Sequence, residues 1–198
     1  MKKRSVVTAS LFGFFSLWIS ISAAAALELP RNSVYQLDVA VTDQEGHTTR
    51  WRDAASSSSG PRMISMFYTH CDYVCPMLFE AIRNIELQLP PAQRQRLQIS
   101  LITLDPARDD ILALKKIAAQ RGGDAMRWRL YRTQPRDVRK LAGMLGVQYR
   151  QLDNGEFNHA TFVILLDSQG VELARTDQIA KLDASFLKAV LKATEASK

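Results

Sequence analysis

Three short apolar segments separated by helical patterns constrain the fold of this chain more than any other feature. They are residues 63–68, 97–104 and 161–167. Each segment has the length and composition of a strand buried in a sheet. Between the first two, apolar residues recur at three- and four-residue steps from Cys75 to Leu89, a helical period that Pro90 ends. Because strands alternate with helices, the sequence predicts an α/β protein of three layers with a sheet in the middle.

The remaining elements follow from weaker patterns of the same kind. Residues 34–41 and 47–52 predict an N-terminal β-hairpin, since 42–46 supplies the Asp and Gly of a turn. Residues 54–60 include four consecutive serines and predict an exposed loop. The other predicted elements are helices over 109–120, 136–145 and 182–192 and strands over 128–131 and 171–175. We therefore expect one folded domain over residues 31–198.

The first segment of the chain has the composition of an export leader. Three basic residues at 2–4 precede an apolar run over 6–21, and the small residues of 22–26 suit a cleavage site. The alternative is an uncleaved membrane anchor, because the uncharged stretch 5–27 reaches the roughly 20 residues that a membrane helix requires. Either way, we expect residues 1–26 to direct the domain out of the cytoplasm, to a bacterial periplasm, either free there or anchored to the inner membrane.

The charge of the chain argues against a nucleic-acid partner. The formal net charge is +6, but three of the 26 basic residues lie in the leader, which has no acidic residue. The rest of the chain carries 23 basic and 20 acidic side chains, spread evenly along it. Nucleic-acid binding would require basic residues clustered on one face. We therefore exclude that class of partner.

The chain has two cysteines, Cys71 and Cys75, at the predicted junction of a strand and a helix. Thiols four residues apart on a helix can share one metal ion, whereas a loop conformation at Cys71 also permits a disulfide. A disulfide here would close a very short loop, which stabilises a protein little. A helix N-terminus lowers the pKa of a nearby thiol, so Cys71 is expected to be reactive. A functional pair is favoured, with a structural disulfide as the alternative.

A distant histidine completes the candidate site. His159 precedes the apolar segment 161–167, and its ring faces the cysteine turn if that strand runs antiparallel beside strand 63–68, as in thioredoxin-like sheets. Two thiolates and one imidazole suit Cu(I) and can also hold Cu(II). Structural zinc would require four ligands. His70 is expected to be an outer or incidental residue, since neighbours in sequence rarely point the same way, and nothing links His47 to the site.

Several motifs together resemble the Sco/SenC family of copper proteins, from about Val34 to the C-terminus. They are residues 41–46, the segment 67–76 with both cysteines, residues 104–109, and His159 ahead of a strand that ends at Asp167. The resemblance implies a thioredoxin-like three-layer α/β/α sandwich with a mixed central sheet. It also implies that Cys71, Cys75 and His159 bind copper, and that the protein delivers it to the binuclear copper site of cytochrome c oxidase or maintains the thiols of that site.

Two departures from the family pattern concern the surroundings of the site. Asp72 follows the first cysteine where the family often has Pro, and Asn158 precedes the histidine where it often has Asp. An outer partner fixes the orientation and basicity of a metal-binding imidazole, so the change at 158 bears on His159. The charged turn of Asp105, Arg108 and Asp109 is either a salt-bridged turn that caps the next helix through Asp109 or a docking site for a partner.

Three functions are compatible with these residues. The first is a copper chaperone that passes its metal to an apo-oxidase subunit or another copper carrier. The second is a periplasmic thiol–disulfide oxidoreductase that keeps partner cysteines reduced with Cys71 and Cys75. Ala160 argues mildly against it, because thioredoxins usually have a cis-proline at the equivalent position. The third is a structural or redox-sensing domain.

Overall fold

A seven-stranded mixed sheet forms the middle layer of the protein, in a computed structural model that describes residues 28–56 and 60–195. The strands are β1 (Ala40–Asp43), β2 (Thr48–Arg50), β3 (Arg62–Phe67), β4 (Gln98–Thr103), β5 (Trp128–Thr133), β6 (Tyr149–Gln151), β7 (Phe157–His159), β8 (Val163–Leu166) and β9 (Glu172–Thr176). Their order in the sheet is β2-β1-β5-β4-β3-β8-β9, and β6 and β7 form a separate hairpin. Strands β3, β4 and β5 are parallel, and β1 and β8 flank them antiparallel.

Helices cover both faces of the sheet. They are α1 (Trp51–Ser56), α2 (Val74–Leu87), α3 (Pro91–Arg94), α4 (Ile111–Arg121), α5 (Pro135–Met144) and α6 (Ala184–Ala193). One apolar core joins α1 and α5 to one face, and a second joins α2, α4 and α6 to the other. The predicted three-layer, thioredoxin-like sandwich with its N-terminal β-hairpin is confirmed.

Burial of the strands on both faces explains why the apolar segments could be recognised in the sequence. All six residues of β3 are buried, because helices pack on both sides of it. Helix α2 follows β3 and places Leu78, Phe79 and Ile82 on its buried face at helical spacing. Its C-terminal end at Leu87 lies just before Pro90, as predicted.

The structure differs from the prediction where local patterns were weak. Helix α1 begins at Trp51, so the second hairpin strand ends at Arg50 and part of the predicted loop is helical. Trp51 is fully buried and its indole N–H donates to the Val34 carbonyl at 3.0 Å. Residues 34–36 form a turn of 3₁₀ helix rather than strand, and hairpin β6–β7 was not predicted.

The register of β8 brings two distant parts of the chain to one end of the sheet. Strand β8 runs antiparallel to β3, with Ile64 opposite Ile164 and Arg62 opposite Leu166. The start of β8 therefore lies at the end of β3 where the cysteine segment begins, as the sequence predicted. Residues 1–26, predicted as the leader, lie outside the described residues. In the described part of the chain, no helix has the length and apolar character needed to cross a membrane.

Candidate metal centre

The two cysteines lie at the junction of β3 and α2. Cys71 is half-buried in the turn before the helix, and Cys75 is buried in the first helical turn. The backbone N–H of Cys75 donates to the Cys71 sulfur at 3.2 Å, and neither cysteine is in a disulfide. The turn at Cys71 thus brings both sulfurs to the N-terminal end of α2.

The pair holds its negative charge on the more exposed sulfur. A hydrogen bond from the Cys75 thiol lowers the pKa of Cys71 to about 5, with help from two backbone N–H groups and the Tyr68 hydroxyl, while burial opposes the shift. The same hydrogen bond to Cys71, together with burial, raises the pKa of Cys75. Cys71 is therefore the nucleophilic or metal-binding thiolate at neutral pH, and Cys75 keeps its proton until a metal or a reaction removes it.

His159 lies on the neighbouring hairpin with one ring nitrogen engaged. It is the last residue of β7, opposite Tyr149 of β6. Its Nδ1 lies 3.2 Å from the Ala160 carbonyl oxygen. Because a carbonyl oxygen only accepts, Nδ1 carries the hydrogen and Nε2 keeps its lone pair. Burial lowers the pKa of His159, which favours the neutral ring that binds metals.

Tyr68 connects the cysteine turn to the hairpin, and the sequence did not point to it. Its ring packs edge-on against His159 and Phe157, with centroids 5.9 and 5.2 Å apart. Its hydroxyl accepts from the Phe157 N–H at 3.5 Å, and its carbonyl accepts from the Cys71 N–H at 3.4 Å. Burial raises the pKa of Tyr68 to about 12, so its hydroxyl remains a donor to Cys71. Its sequence signals were its place at the end of a buried strand and within the family-like segment 67–76, neither of which assigns it a role.

The three predicted ligands are neighbours but do not form one cluster. Among residues 28–56 and 60–195, no three His, Cys, Asp or Glu side chains are close enough to hold an ion together. The charge of Cys71 nevertheless acts to raise the pKa of His159 against the effect of burial, so the ring and the sulfur are electrostatic neighbours. The structure thus brings the sulfur pair together and leaves the imidazole beside it, on a separate element.

A buried carboxylate holds the turn that leads to Cys71. Asp109 is fully buried and accepts from the Thr69 N–H at 3.0 Å, from the Thr69 hydroxyl at 2.5 Å, and from the Thr103 hydroxyl. It does not cap α4, one of the roles considered from the sequence. Asp110 does so, by accepting from the Ala113 N–H at 2.8 Å. The predicted cap through Asp109 is therefore wrong, because its side chain turns inward to the cysteine segment, whereas a salt bridge within the turn is present between Arg108 and Asp105.

The other two histidines contact residues other than the cysteines. His70 is exposed, and its Nδ1 lies 3.1 Å from the Thr69 hydroxyl and 3.7 Å from Asp109. His47 lies in the β1–β2 hairpin, 3.4 Å from Asp43, and has no contact with the site. None of these three contacts involves a cysteine.

Comparisons with known proteins give a family and a fold. A family model described as SCO1/SenC matches residues 31–194. A protein of Stutzerimonas stutzeri named "Putative copper-binding protein" is 44% identical over 48 residues, which span 24% of each chain. That local match covers about a quarter of the relative's length.

Solved structures share the architecture at low identity. A SCO1/SenC family lipoprotein of Bacillus anthracis has a TM-score of 0.69 at 18% identity, covering 80% of this chain and 94% of that one. ScoI of Bradyrhizobium japonicum with copper bound has a TM-score of 0.62 at 18% identity, covering 79% and 98%. At such identities the likeness establishes the fold alone.

Proposed function

The chain belongs to the SCO1/SenC family, and from this premise we propose that it is a copper chaperone whose ligands are Cys71, Cys75 and His159. The observation that carries the proposal is the sulfur pair at the end of β3, with its negative charge on half-buried Cys71. The neighbouring imidazole has Nε2 free to bind. The recipient is the binuclear copper site of an apo-cytochrome c oxidase subunit, or another copper carrier.

The donor set fits copper better than zinc. Two sulfurs and one imidazole form a soft set of three donors, whereas structural zinc sites use four. His70 would be the nearest candidate for a fourth donor, but its Nδ1 faces Thr69 and Asp109. Binding releases the proton of Cys75, because thiols coordinate as thiolates. It also requires the His159 ring to turn toward the sulfurs, since the three side chains are not clustered.

The surface around Cys71 supports transfer by ligand exchange. Tyr73 is 83% exposed, and Val74 and Met77 are also exposed, at the N-terminal end of α2. These exposed apolar side chains lie on the segment that follows Cys71, whose sulfur a partner must reach. A recipient that docks there can replace the copper ligands one at a time, beginning at the more exposed Cys71.

The same pair supports a second candidate function, thiol–disulfide exchange. The Cys71 thiolate attacks a partner disulfide, and the first partner thiolate leaves. Cys75 then loses its proton and attacks the Cys71 sulfur, which releases the second partner thiolate and leaves a Cys71–Cys75 disulfide. The partner gains two electrons and this protein loses them. The specific observation in favour is the low pKa of Cys71, about 5, beside a buried second thiol.

Competition for Cu(I) with a chromophoric chelator tests the chaperone proposal. In reduced protein, His159→Ala should lower the Cu(I) affinity by at least about 10-fold. Removal of a side chain that only hydrogen-bonds to a metal ligand already causes a loss of that size. Cys71→Ser and Cys75→Ser should lower it further. His70→Ala is the matched control, because it removes an imidazole one residue from Cys71. Equal affinities for wild type and His159→Ala would exclude His159 as a ligand.

A reductase assay with the same variants separates the two functions. If His159→Ala retains full disulfide reduction while it loses copper affinity, the imidazole serves copper alone. If neither cysteine variant changes copper binding, the protein is not a chaperone of this kind.

We further propose that residues 1–26 export the domain to the periplasm, as a cleaved signal or as an anchor through residues 5–27. The support is the composition of that segment. Mass spectrometry of the exported protein measures whether the segment is removed, and membrane fractionation distinguishes the anchor.

A further inference from the structure

Hairpin β6–β7 carries His159 but lies outside the main sheet. Its two strands have three residues each and pair only with each other. A two-stranded hairpin of this size is marginal by itself. The position of His159 therefore depends on contacts between the hairpin and the rest of the domain.

One side chain reaches the tip of the hairpin from the turn that follows β4. Arg108 follows β4, and its Nη2 donates to the carbonyl of Gly155 in the β6–β7 turn. Its Nε donates to the carboxylate of buried Asp105. Gly155 has a φ of +83°, and a Cβ there would lie 3.1 Å from Arg108 Nη1. A glycine at this position thus permits both the turn and the close approach of the guanidinium.

The turn that bears Arg108 is itself fixed to the sheet. Arg132 of β5 donates to the Pro106 carbonyl at 2.6 Å. At the end of the same turn, Asp109 binds both the N–H and the hydroxyl of Thr69, two residues before Cys71. One short segment, residues 105–109, therefore contacts both the cysteine turn and the histidine hairpin.

We propose that Arg108 is a positioning residue that holds hairpin β6–β7 so that His159 stays within reach of the sulfur pair. This inference rests on the proposed copper site, but the anchoring itself does not require copper. The planar guanidinium is suited to the role, because Nε and Nη2 bind Asp105 and Gly155 in two directions at once. A lysine ammonium keeps the charge without this fork.

Amide hydrogen exchange of the copper-free, reduced protein measures the anchoring. The probes are the backbone N–H groups of Leu152 and Ala160. They donate to the backbone carbonyls of Glu156 and Gln148, respectively, at the two ends of the hairpin. Arg108→Ala should accelerate their exchange about 10-fold, the effect of losing one charge-assisted hydrogen bond. Arg108→Lys should have a smaller effect and also serves if the alanine variant does not fold.

Arg83→Ala is the matched control. Arg83 has a similar exposed fraction, 36% against 38%, and also donates to backbone carbonyls distant in sequence, those of Arg121 and Gly122 at the C-terminal end of α4. It should leave the exchange of Leu152 and Ala160 unchanged. Equal exchange rates in wild type and Arg108→Ala would overturn the proposal.

A double-mutant cycle measures the consequence for the metal. Arg108→Ala should lower the Cu(I) affinity about 10-fold in the wild-type background and leave it unchanged in the His159→Ala background. An equal loss in both backgrounds would overturn the proposal, because Arg108 would then act on the cysteines. If the wild type binds no Cu(I), the proposed function fails, while the exchange rates still decide whether Arg108 holds the hairpin.

Discussion

Two adjacent aspartates should differ sharply in their contribution to stability. Asp109 is fully buried and accepts three hydrogen bonds, two from Thr69 and one from Thr103. Asp110 accepts one, as the N-cap of α4. We compare Asp109→Ala with Asp110→Ala, so that the two variants lose the same side chain at neighbouring positions.

The magnitudes follow from the partners that each change leaves behind. A hydrogen bond to a charged group contributes about 1.5–3 kcal/mol, but the three bonds at Asp109 share one carboxylate and do not add fully. We expect Asp109→Ala to lower the free energy of unfolding by about 4 kcal/mol. Loss of an N-cap costs about 1 kcal/mol, so Asp110→Ala should have about a quarter of that effect.

Urea denaturation of the reduced, metal-free protein measures both values. With a slope of about 2 kcal/mol per molar urea, Asp109→Ala should lower the midpoint by about 2 M and Asp110→Ala by about 0.5 M. Thr69→Val is a further check, since it removes one donor to Asp109 and should have an intermediate effect. A loss below about 1 kcal/mol for Asp109→Ala, or a larger loss for Asp110→Ala, would refute this account of the turn.

Three other measurements address the thiols and the core. Alkylation of Cys71 by iodoacetamide should have its midpoint near pH 5, because the thiolate persists above its lowered pKa and is lost below it; a midpoint near that of a free thiol would contradict the hydrogen-bonding pattern. Cys75→Ala should move this midpoint to higher pH, since it removes the principal donor to Cys71. Phe79→Ala should cost about 3–5 kcal/mol of unfolding free energy, because Phe79 is buried between Phe67 and Trp128; exposed Met126→Ala is its control, expected within about 0.5 kcal/mol.

The cysteine pair of the site could be predicted from the sequence, because its chemistry depends on residue type and local spacing. Cys71 and Cys75 are four residues apart, so the strand-to-helix junction brings their sulfurs together wherever the rest of the chain goes. The role of Tyr68 could not be predicted, since it comes from contacts with Phe157 and His159, about ninety residues away. A tyrosine at the end of a strand gives no sign of such contacts.

The sequence by itself determined the layers of this protein. Strands buried on both faces are predominantly apolar, and helices packed on one side repeat their apolar residues at helical spacing. For this reason β3, β4, β8 and α2 can be recognised from the order of residues. Periodicity of this kind is a local consequence of burial, and it needs no knowledge of which elements are neighbours.

Only the tertiary structure decided how the histidine is held. Hairpin β6–β7 is short and largely polar, so no apolar period marks it. Its place depends on contacts across the fold, among them the Tyr68 ring against Phe157 and His159 and the hydrogen bond from Arg108 to Gly155. The sequence also did not determine which hydrogen bonds the Asp109 carboxylate makes. In the structure it accepts from Thr69 in the cysteine turn, and Asp110 caps α4 instead. Polar contacts between distant residues depend on distance and direction in space, which the order of residues does not contain.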